Sequence, residues 1–594
     1  MPRSGAVGAD HATDIGPPRQ VRAVHAGLLL ALVGAVYVFA PIGFNPTDDG
    51  LIVAQSARLL DGASPHLQVI SPRPLGSPIL HTVDVLLPTP LLYTSRAIAV
   101  LEFMVIAGLS VLLLRRTRLS RWGPAEAGLT LVAFLVNLHT FPLLSWHTID
   151  GILVSLAAFC IVRAGCQRQM WAVVALGALV GGCAPLMKQS FAPFPVFLAF
   201  WTFWHHWQVE RERRHLRVWH LIAALSVGVL PGIVYIIWVA MTSSLSAAVD
   251  QMTGASSVDP WAGVSLTMGL VLLGDLVGAS MFLTIAWQRR HRNNDSSPRS
   301  LHQAINFWLA LVAGSLLGLA IWTVWSHGLL YTTGWATSLW WLGLFSGAIW
   351  SVVHERLDTA TIGILAISWM ASLSWGYAVP NLMGGSLLVA VVLRCGETLK
   401  ASLPEVRRPS WHLISQAAPI ALAALLIPLS VQARRTTVYR DVPAADQHAD
   451  LGRVSDATWG IRSNNTTASY LKEVRDCLSN HPADRLAILP DNPVVPLLLG
   501  RSTPLPLDWW YPLEIPRDRE RILDDVDQVS EDRDYLVLFQ TVRAETLADG
   551  RTLPSAVQES EIFDYPDGMA KDVFRHLKGA TVACGPFVGK YSPP

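Results

Sequence analysis

Two adjacent carboxylates, Asp48 and Asp49, follow the first long apolar run of the chain, in the stretch Phe44-Asn45-Pro46-Thr47-Asp48-Asp49-Gly50-Leu51. Carboxylates are costly in hydrocarbon; at its edge they mark either function or the solvated start of a helix. Within hydrogen-bond reach of a hydroxyl, such a group can act as a general base. In the membrane half, Arg58, Arg73, Arg96 and Lys188 are the basic residues placed on the same face of the membrane. Cations gathered near a carboxylate pair suit a negatively charged ligand. Lys188, at a helix end in Pro185-Leu186-Met187-Lys188-Gln189-Ser190, is a point charge suited to a phosphate. His66, His81, His147 and His327 show no HExxH-type spacing, so no metal site is expected. A phosphate-binding Gly-rich loop with its Lys and Ser/Thr is missing, which argues against ATP coupling. No zinc-finger spacing or basic–aromatic stripe points to nucleic acid.

The elements that position these groups are membrane helices. Of 594 residues, 51% are hydrophobic and 15% charged, against about 25% charged in soluble domains. Apolar runs of about 18 to 25 residues recur, which is the length that crosses a bilayer. The first, Ala26 to Pro41, follows a Gly/Pro/Ala-rich stretch, and residues 1–22 are expected to be a disordered cytoplasmic N-terminus. Further spans are expected near 94–114, 125–143, 150–163, 170–187, 191–207, 219–242, 263–287, 304–325, 338–353, 359–377, 381–394 and 412–431. The fold class is therefore a polytopic α-helical membrane protein of about 13 spans, with 23–431 as its membrane module. Basic clusters at Arg115–Arg121, Arg163–Arg168, Arg211–Arg217, Arg289–Arg299, Arg356 and Arg394–Arg408 fall in every second connection. That alternation places the N-terminus in the cytoplasm and residues 432–594 outside the cytoplasm.

In the first outer loop, 42–93, Leu51, Ala54, Ala57, Leu59 and Leu60 predict a short amphipathic helix along the outer membrane face, stopped by Gly62 and Pro65. Gly177…Gly181 and Gly314…Gly318 read as helix-packing pairs. Trp340 and Trp341 read as interfacial belt residues, and Trp509-Trp510-Tyr511 as belt or sugar-stacking platform. From about Gln432 the composition becomes that of a soluble segment. Helices at Asn464–Ser479, Asp518–Val529 and Met569–Leu577 alternate with strands at Leu486–Leu489 and Tyr535–Phe539 and a closing strand Thr581–Tyr591, predicting a small α/β domain. Cys477 and Cys584, the two cysteines of that segment, read as a disulfide.

The layout resembles the membrane-embedded GT-C glycosyltransferases, in particular the bacterial relatives of protein mannosyltransferases and aminoarabinose transferases. The carrying features are Asp48-Asp49-Gly50, the helix Ala57-Arg58-Leu59-Leu60-Asp61-Gly62 and the segment Ser71-Pro72-Arg73-Pro74-Leu75-Gly76-Ser77-Pro78. Arg96, Lys188-Gln189 and the loop Ser374-Trp375-Gly376-Tyr377-Ala378-Val379-Pro380 complete them. The family usually carries Asp-Glu where this chain has Asp-Asp. The resemblance implies transfer of a sugar from a polyprenyl-phosphate carrier to a glycan, lipid or protein acceptor at the outer face. It implies Asp48 as base with Asp49 in support. It further implies Lys188, Arg73, Arg58 and Arg96 on the donor phosphate, with His81, His147, Asp150 and Tyr377 as candidate acceptor or sugar contacts. No cofactor is implied. The competing class is a secondary transporter of a small polar or anionic solute, whose site would lie at the midplane among repeats; here the charges cluster at the outer surface.

Overall fold

The computed structural model describes residues 18–87, 90–209, 218–254, 280, 299–326, 339–346, 359–373, 380–402 and 408–594. Its helices begin with α1 (Pro18–Phe39), which starts inside the stretch expected to be disordered. In the loop that follows α1 come α2 (Leu51–Leu60), α3 (Gly76–Leu80) and α4 (Thr82–Leu86). Then follow α5 (Leu91–Arg115), α6 (Pro124–Asn137), α7 (His147–Arg168), α8 (Trp171–Met187) and α9 (Phe194–Val209). Among the described residues, five helices are long and apolar enough to cross a membrane: Arg19–Phe39, Leu91–Arg115, His147–Arg168, Val218–Thr242 and Leu413–Thr436. The protein is a multi-pass membrane protein. The expected span 263–287 apart from residue 280, half of 338–353 and the Ser374–Val379 part of the late loop lie outside the described residues.

Apolar side chains face two ways. Leu30 and Tyr37 of α1 are 71% and 77% exposed, as lipid-facing groups are, whereas Phe103, Phe134 and Phe159 of α5, α6 and α7 are fully buried. Helices α7 and α8 approach closely because Gly177 carries no side chain: a Cβ there would lie 2.8 Å from the Val162 backbone nitrogen. Gly314 and Gly318 meet no described atom within 4 Å. Trp340 and Trp341 are buried in the bundle core rather than placed in a belt. The core demands bulky apolar volume there, and composition alone does not separate that from an interfacial position. The span expected over 125–143 ends as helix at Asn137, and the buried stretch from Leu138 to Trp146 runs irregularly to α7.

The C-terminal segment forms a four-stranded sheet. Strands β1 (Ala449–Asp450) and β2 (Arg462–Ser463) make a small separate ladder. In the main sheet, β3 (Arg485–Leu489) pairs parallel with β4 (Tyr535–Gln540). The expected closing strand is instead a hairpin, β5 (Ala580–Cys584) and β6 (Phe587–Ser592), and the sheet order is β3-β4-β6-β5. Gly585, at φ +50°, makes the turn. Asn464 caps the helix Asn465–Asn480 by accepting from the Thr467 amide at 2.8 Å. That helix is tied to β5 by the Cys477–Cys584 disulfide.

The loop between α1 and α5 and this segment share one core. Phe44 and Val53 pack in the same apolar cluster as Leu471 and Val494. The backbone continues the union: Gly43 donates to the Arg462 carbonyl at 2.9 Å, and Ile70 to the Pro506 carbonyl at 3.0 Å. For this reason α2 does not lie on the membrane. Leu51 through Ala57 are all buried, since the helix is covered by α3 and α4 on one side and by the C-terminal segment on another. Gly50, before α2, has φ +92°, and a Cβ there would stand 2.4 Å from Val494 Cγ2. Gly50→Ala is therefore expected to lower stability by about 1–3 kcal/mol, read as a lower thermal midpoint, with partial recovery when Val494→Ala is added. Equal melting of Gly50→Ala and wild type would contradict this packing.

Candidate active site

The turn that carries the carboxylates is closed on itself. The Asn45 side-chain oxygen accepts from the Thr47 and Asp48 amides at 2.8 and 3.3 Å, and the Asn45 amide donates to Asp49 Oδ2 at 2.8 Å. Such side-chain-to-backbone bonds are how Asn holds a tight turn without regular structure. They point the two acids in different directions. Asp49 Oδ2 receives Arg96 at 2.8 Å, and Arg96 also donates to the Ala40 carbonyl at 2.8 Å, so that acid faces the end of α1. Asp48 faces a cavity of about 760 Å³. Its Oδ2 accepts the Tyr439 hydroxyl and pairs with Arg440 at 2.9 Å. Burial raises the Asp48 pKa above the ordinary carboxylate value, Arg440 and Tyr439 pull the other way, and the charge on Asp49 adds to the rise.

Both halves of the molecule line the cavity. The membrane half contributes Asp48, Arg73, Trp146 and Lys188; the C-terminal segment contributes Tyr439, Arg440, Trp509, Tyr511, Arg543, Tyr565 and Lys571. Lys188, just past α8, is buried and donates to Thr148 Oγ1 at 2.8 Å. Burial and the neighbouring Arg73 hold its pKa well below the usual lysine value, with Glu514 opposing. Arg73 is held in a fork by Glu514 at 2.7 and 2.9 Å, with its guanidinium 5.8 Å above the Trp146 ring. The aromatic wall is ordered: Trp509 stacks on Tyr511 with centroids 5.5 Å apart, and Tyr511 meets Tyr565 edge-on at 5.1 Å. Of the Trp509-Trp510-Tyr511 run, Trp510 points into the core of the C-terminal segment instead.

Other expected site residues are placed elsewhere. Arg58 is engaged by Asp508 at 2.9 Å in a separate groove, and Arg96 by Asp49; neither lines the cavity. All three arginines have a buried carboxylate partner, and Arg73 differs in lining the cavity, which spacing along the chain could not show. His81 and Asp150 belong to a buried cluster with Asp84 and Glu102. Burial works against a charged imidazole, yet Asp150, Asp84 and Glu102 together hold the His81 pKa well above the ordinary value. His147 is buried with neither ring nitrogen hydrogen-bonded, its ring edge-on to Trp146. Tyr377 lies outside the described residues.

Tyr439, Arg440, Arg543, Tyr565 and Lys571 also line the cavity, and no motif in the sequence singles them out. One signal was present: Arg434, Arg435 and Arg440 crowd the C-terminal end of the last span, against the charge alternation expected along the chain. Nor does a motif single out Asp491, which accepts from Tyr565 at 2.6 Å and Thr47 at 3.4 Å and so braces the Asp48 turn against the cavity wall.

No family model matches the sequence, and no curated protein matches it. Among solved structures, the chain is similar to ArnT from Cupriavidus metallidurans in the apo state: 12% identity over 91% of this chain and 96% of that one, TM-score 0.38. It is similar to the arabinosyltransferase EmbB from Mycobacterium smegmatis, with 14% identity over 65% of this chain and 43% of that one, TM-score 0.32. The archaeal oligosaccharyltransferase AglB from Archaeoglobus fulgidus, in complex with an inhibitory peptide and a dolichol-phosphate, gives 10% identity, 89% and 71% coverage and TM-score 0.43.

The charges around Asp48 make a titration prediction. A cation beside a carboxylate lowers its pKa, so Arg440→Gln is expected to raise that of Asp48. The carboxyl stretch of Asp48, isolated by difference infrared spectroscopy against Asp48→Asn, should titrate at higher pH in Arg440→Gln. An unshifted band would contradict the pairing.

Proposed function

We propose that the protein is an integral-membrane glycosyltransferase that moves a sugar from a polyprenyl-phosphate carrier to a hydroxyl-bearing glycan, lipid or protein at the extracytoplasmic face. The observation that carries the reading is the joint placement of Asp48, Lys188, Arg73 and the Trp509–Tyr511 stack around one cavity. Its volume, about 760 Å³, suits a sugar phosphate and part of an acceptor. The charge alternation of the spans supports the orientation, with the cavity on the outer side.

In this reading the acceptor oxygen attacks the anomeric carbon as the bond from that carbon to the phosphate oxygen breaks. The released polyprenyl phosphate keeps the electron pair, and Asp48 takes the acceptor proton. A phosphate leaving group needs no general acid, whereas the hydroxyl needs a base. The Tyr439 and Arg440 contacts fall on Oδ2, so Oδ1 is the oxygen offered to the acceptor. Its raised pKa brings the carboxylate closer to the range in which a base is effective. Lys188 and Arg73 neutralise charge growing on the departing phosphate. Burial and Arg73 lower the Lys188 pKa, and an anion bound beside it would raise it again. A single displacement by one base inverts the anomeric centre. Asp49 holds Arg96 and thereby the turn.

Turnover with a polyprenyl-phosphate sugar donor separates these roles. Asp48→Asn is expected to fold and lose about a hundred- to ten-thousandfold in rate. Asp49→Asn should lose less turnover per folded molecule but more stability, because it leaves Arg96 buried without its counter-ion. If Asp48→Asn retains activity, the base assignment fails; if both variants and wild type show no dependence on a lipid-phosphate donor, the transferase reading fails with it.

A further inference from the structure

We propose that His81, Glu102 and Asp150 bind a divalent ion of borderline softness, such as Zn2+, at a site separate from the Asp48 cavity. Three elements meet there. His81 stands between α3 and α4, Glu102 is in the body of α5, and Asp150 is in the first turn of α7. One donor atom from each lies within 4.8 Å of the others, and all three residues are buried. His81 Nε2 is 3.2 Å from Asp150 Oδ1 and 3.7 Å from Glu102 Oε1. Donors bonded to one ion at about 2.0–2.2 Å sit no more than ~4 Å apart, so a small rotation of Glu102 closes the set.

The surroundings are those of a metal ligand set. His81 Nδ1 is held by Asp84 at 3.1 Å, which fixes the ring and turns Nε2 toward Glu102 and Asp150. A carboxylate on the far nitrogen is the usual outer support of a metal-bound imidazole. Ser77 donates to Asp150, and Ser145 to Asp84 at 3.3 Å. Glu102 is different: it accepts no hydrogen bond among the described residues, and its Oε2 is buried without a partner. A buried carboxylate left so is costly unless a cation or proton meets it. The charge count points to a cation. Three carboxylates surround one imidazole, and among the described residues their ion-pair contacts run to His81 alone. One nitrogen and two oxygen donors favour a transition ion over Mg2+ or Ca2+. None of these residues lines the Asp48 cavity.

The test reads binding alone, so its failure would leave the transferase reading untouched. Full-length protein in detergent is stripped with chelator, exposed to ZnCl2, desalted and assayed for metal, with Zn2+ affinity measured by competition. Wild type and Asp48→Asn are expected to retain one Zn2+ per chain and to melt at higher temperature with it. Glu102→Gln should bind at least tenfold more weakly. Asp84→Asn, which leaves all three ligands in place, should weaken binding about 10–100-fold. Wild type that holds no stoichiometric Zn2+ would show a cluster satisfied by protons and overturn the site. Binding by Glu102→Gln as tight as wild type would overturn it equally.

Discussion

The ion pair between Arg96 and Asp49 is the contact on which the site depends. Asp48 and Asp49 are each 6% exposed, and two adjacent buried carboxylates repel. Giving one of them a guanidinium of its own, at 2.8 Å, fixes which way the turn faces. The same Arg96 reaches the Ala40 carbonyl, and Arg434 reaches those of Phe39 and Ile42, so the end of α1, the turn, α5 and the last membrane helix are locked at one point. Removing one partner of a buried pair leaves a charge without compensation, which typically costs about 3–5 kcal/mol. The pair therefore serves geometry: it frees Asp48 to meet the cavity.

That cavity exists only because the C-terminal segment covers the mouth of the helices. Tyr439 and Arg440 follow directly on the last membrane helix and reach Asp48; Glu514 holds Arg73; Asp491 steadies the turn through Thr47 and the wall through Tyr565. The segment thus supplies orientation to groups it does not itself carry. Preorganised charge in a partly dry site acts more strongly on a reacting phosphate than the same charges in water would. The tight contact of Gly50 with Val494, the shared Phe44–Val494 cluster and the short backbone bridges resist separation of the two halves.

Much of this was legible where chemistry is local. Asp48-Asp49 stood out because acids beside an apolar run are rare, and Lys188 because a lysine there breaks the charge alternation. The α/β alternation of the C-terminal segment followed from period and breakers, and only the Gly585-Pro586 turn hid a second strand in the closing run. Long-range pairing was not legible. Arg58 and Arg96 differ from Arg73 in which distant or neighbouring carboxylate reaches them, Asp508 and Asp49 against Glu514. The burial of α2 was equally out of reach, because the spacing of Leu51, Ala54, Ala57, Leu59 and Leu60 reads as a single apolar face; Ser56, off that face, donates to the Ile52 and Pro78 carbonyls. The His81 cluster was hidden for the same reason: its members come from three elements, with no spacing to announce them.

The central claim is that one cavity holds a lipid phosphate against Lys188 and Arg73 with the anomeric carbon facing Asp48. An electron cryomicroscopy map of Asp48→Asn with a polyprenyl-phosphate sugar, the base removed so that the donor survives, tests it most directly. Phosphate density is expected within hydrogen-bond distance of Lys188 Nζ, with the sugar between residue 48 and the Trp509–Tyr511 stack. Donor density elsewhere, with the cavity still lined by those side chains and filled by solvent, would contradict it.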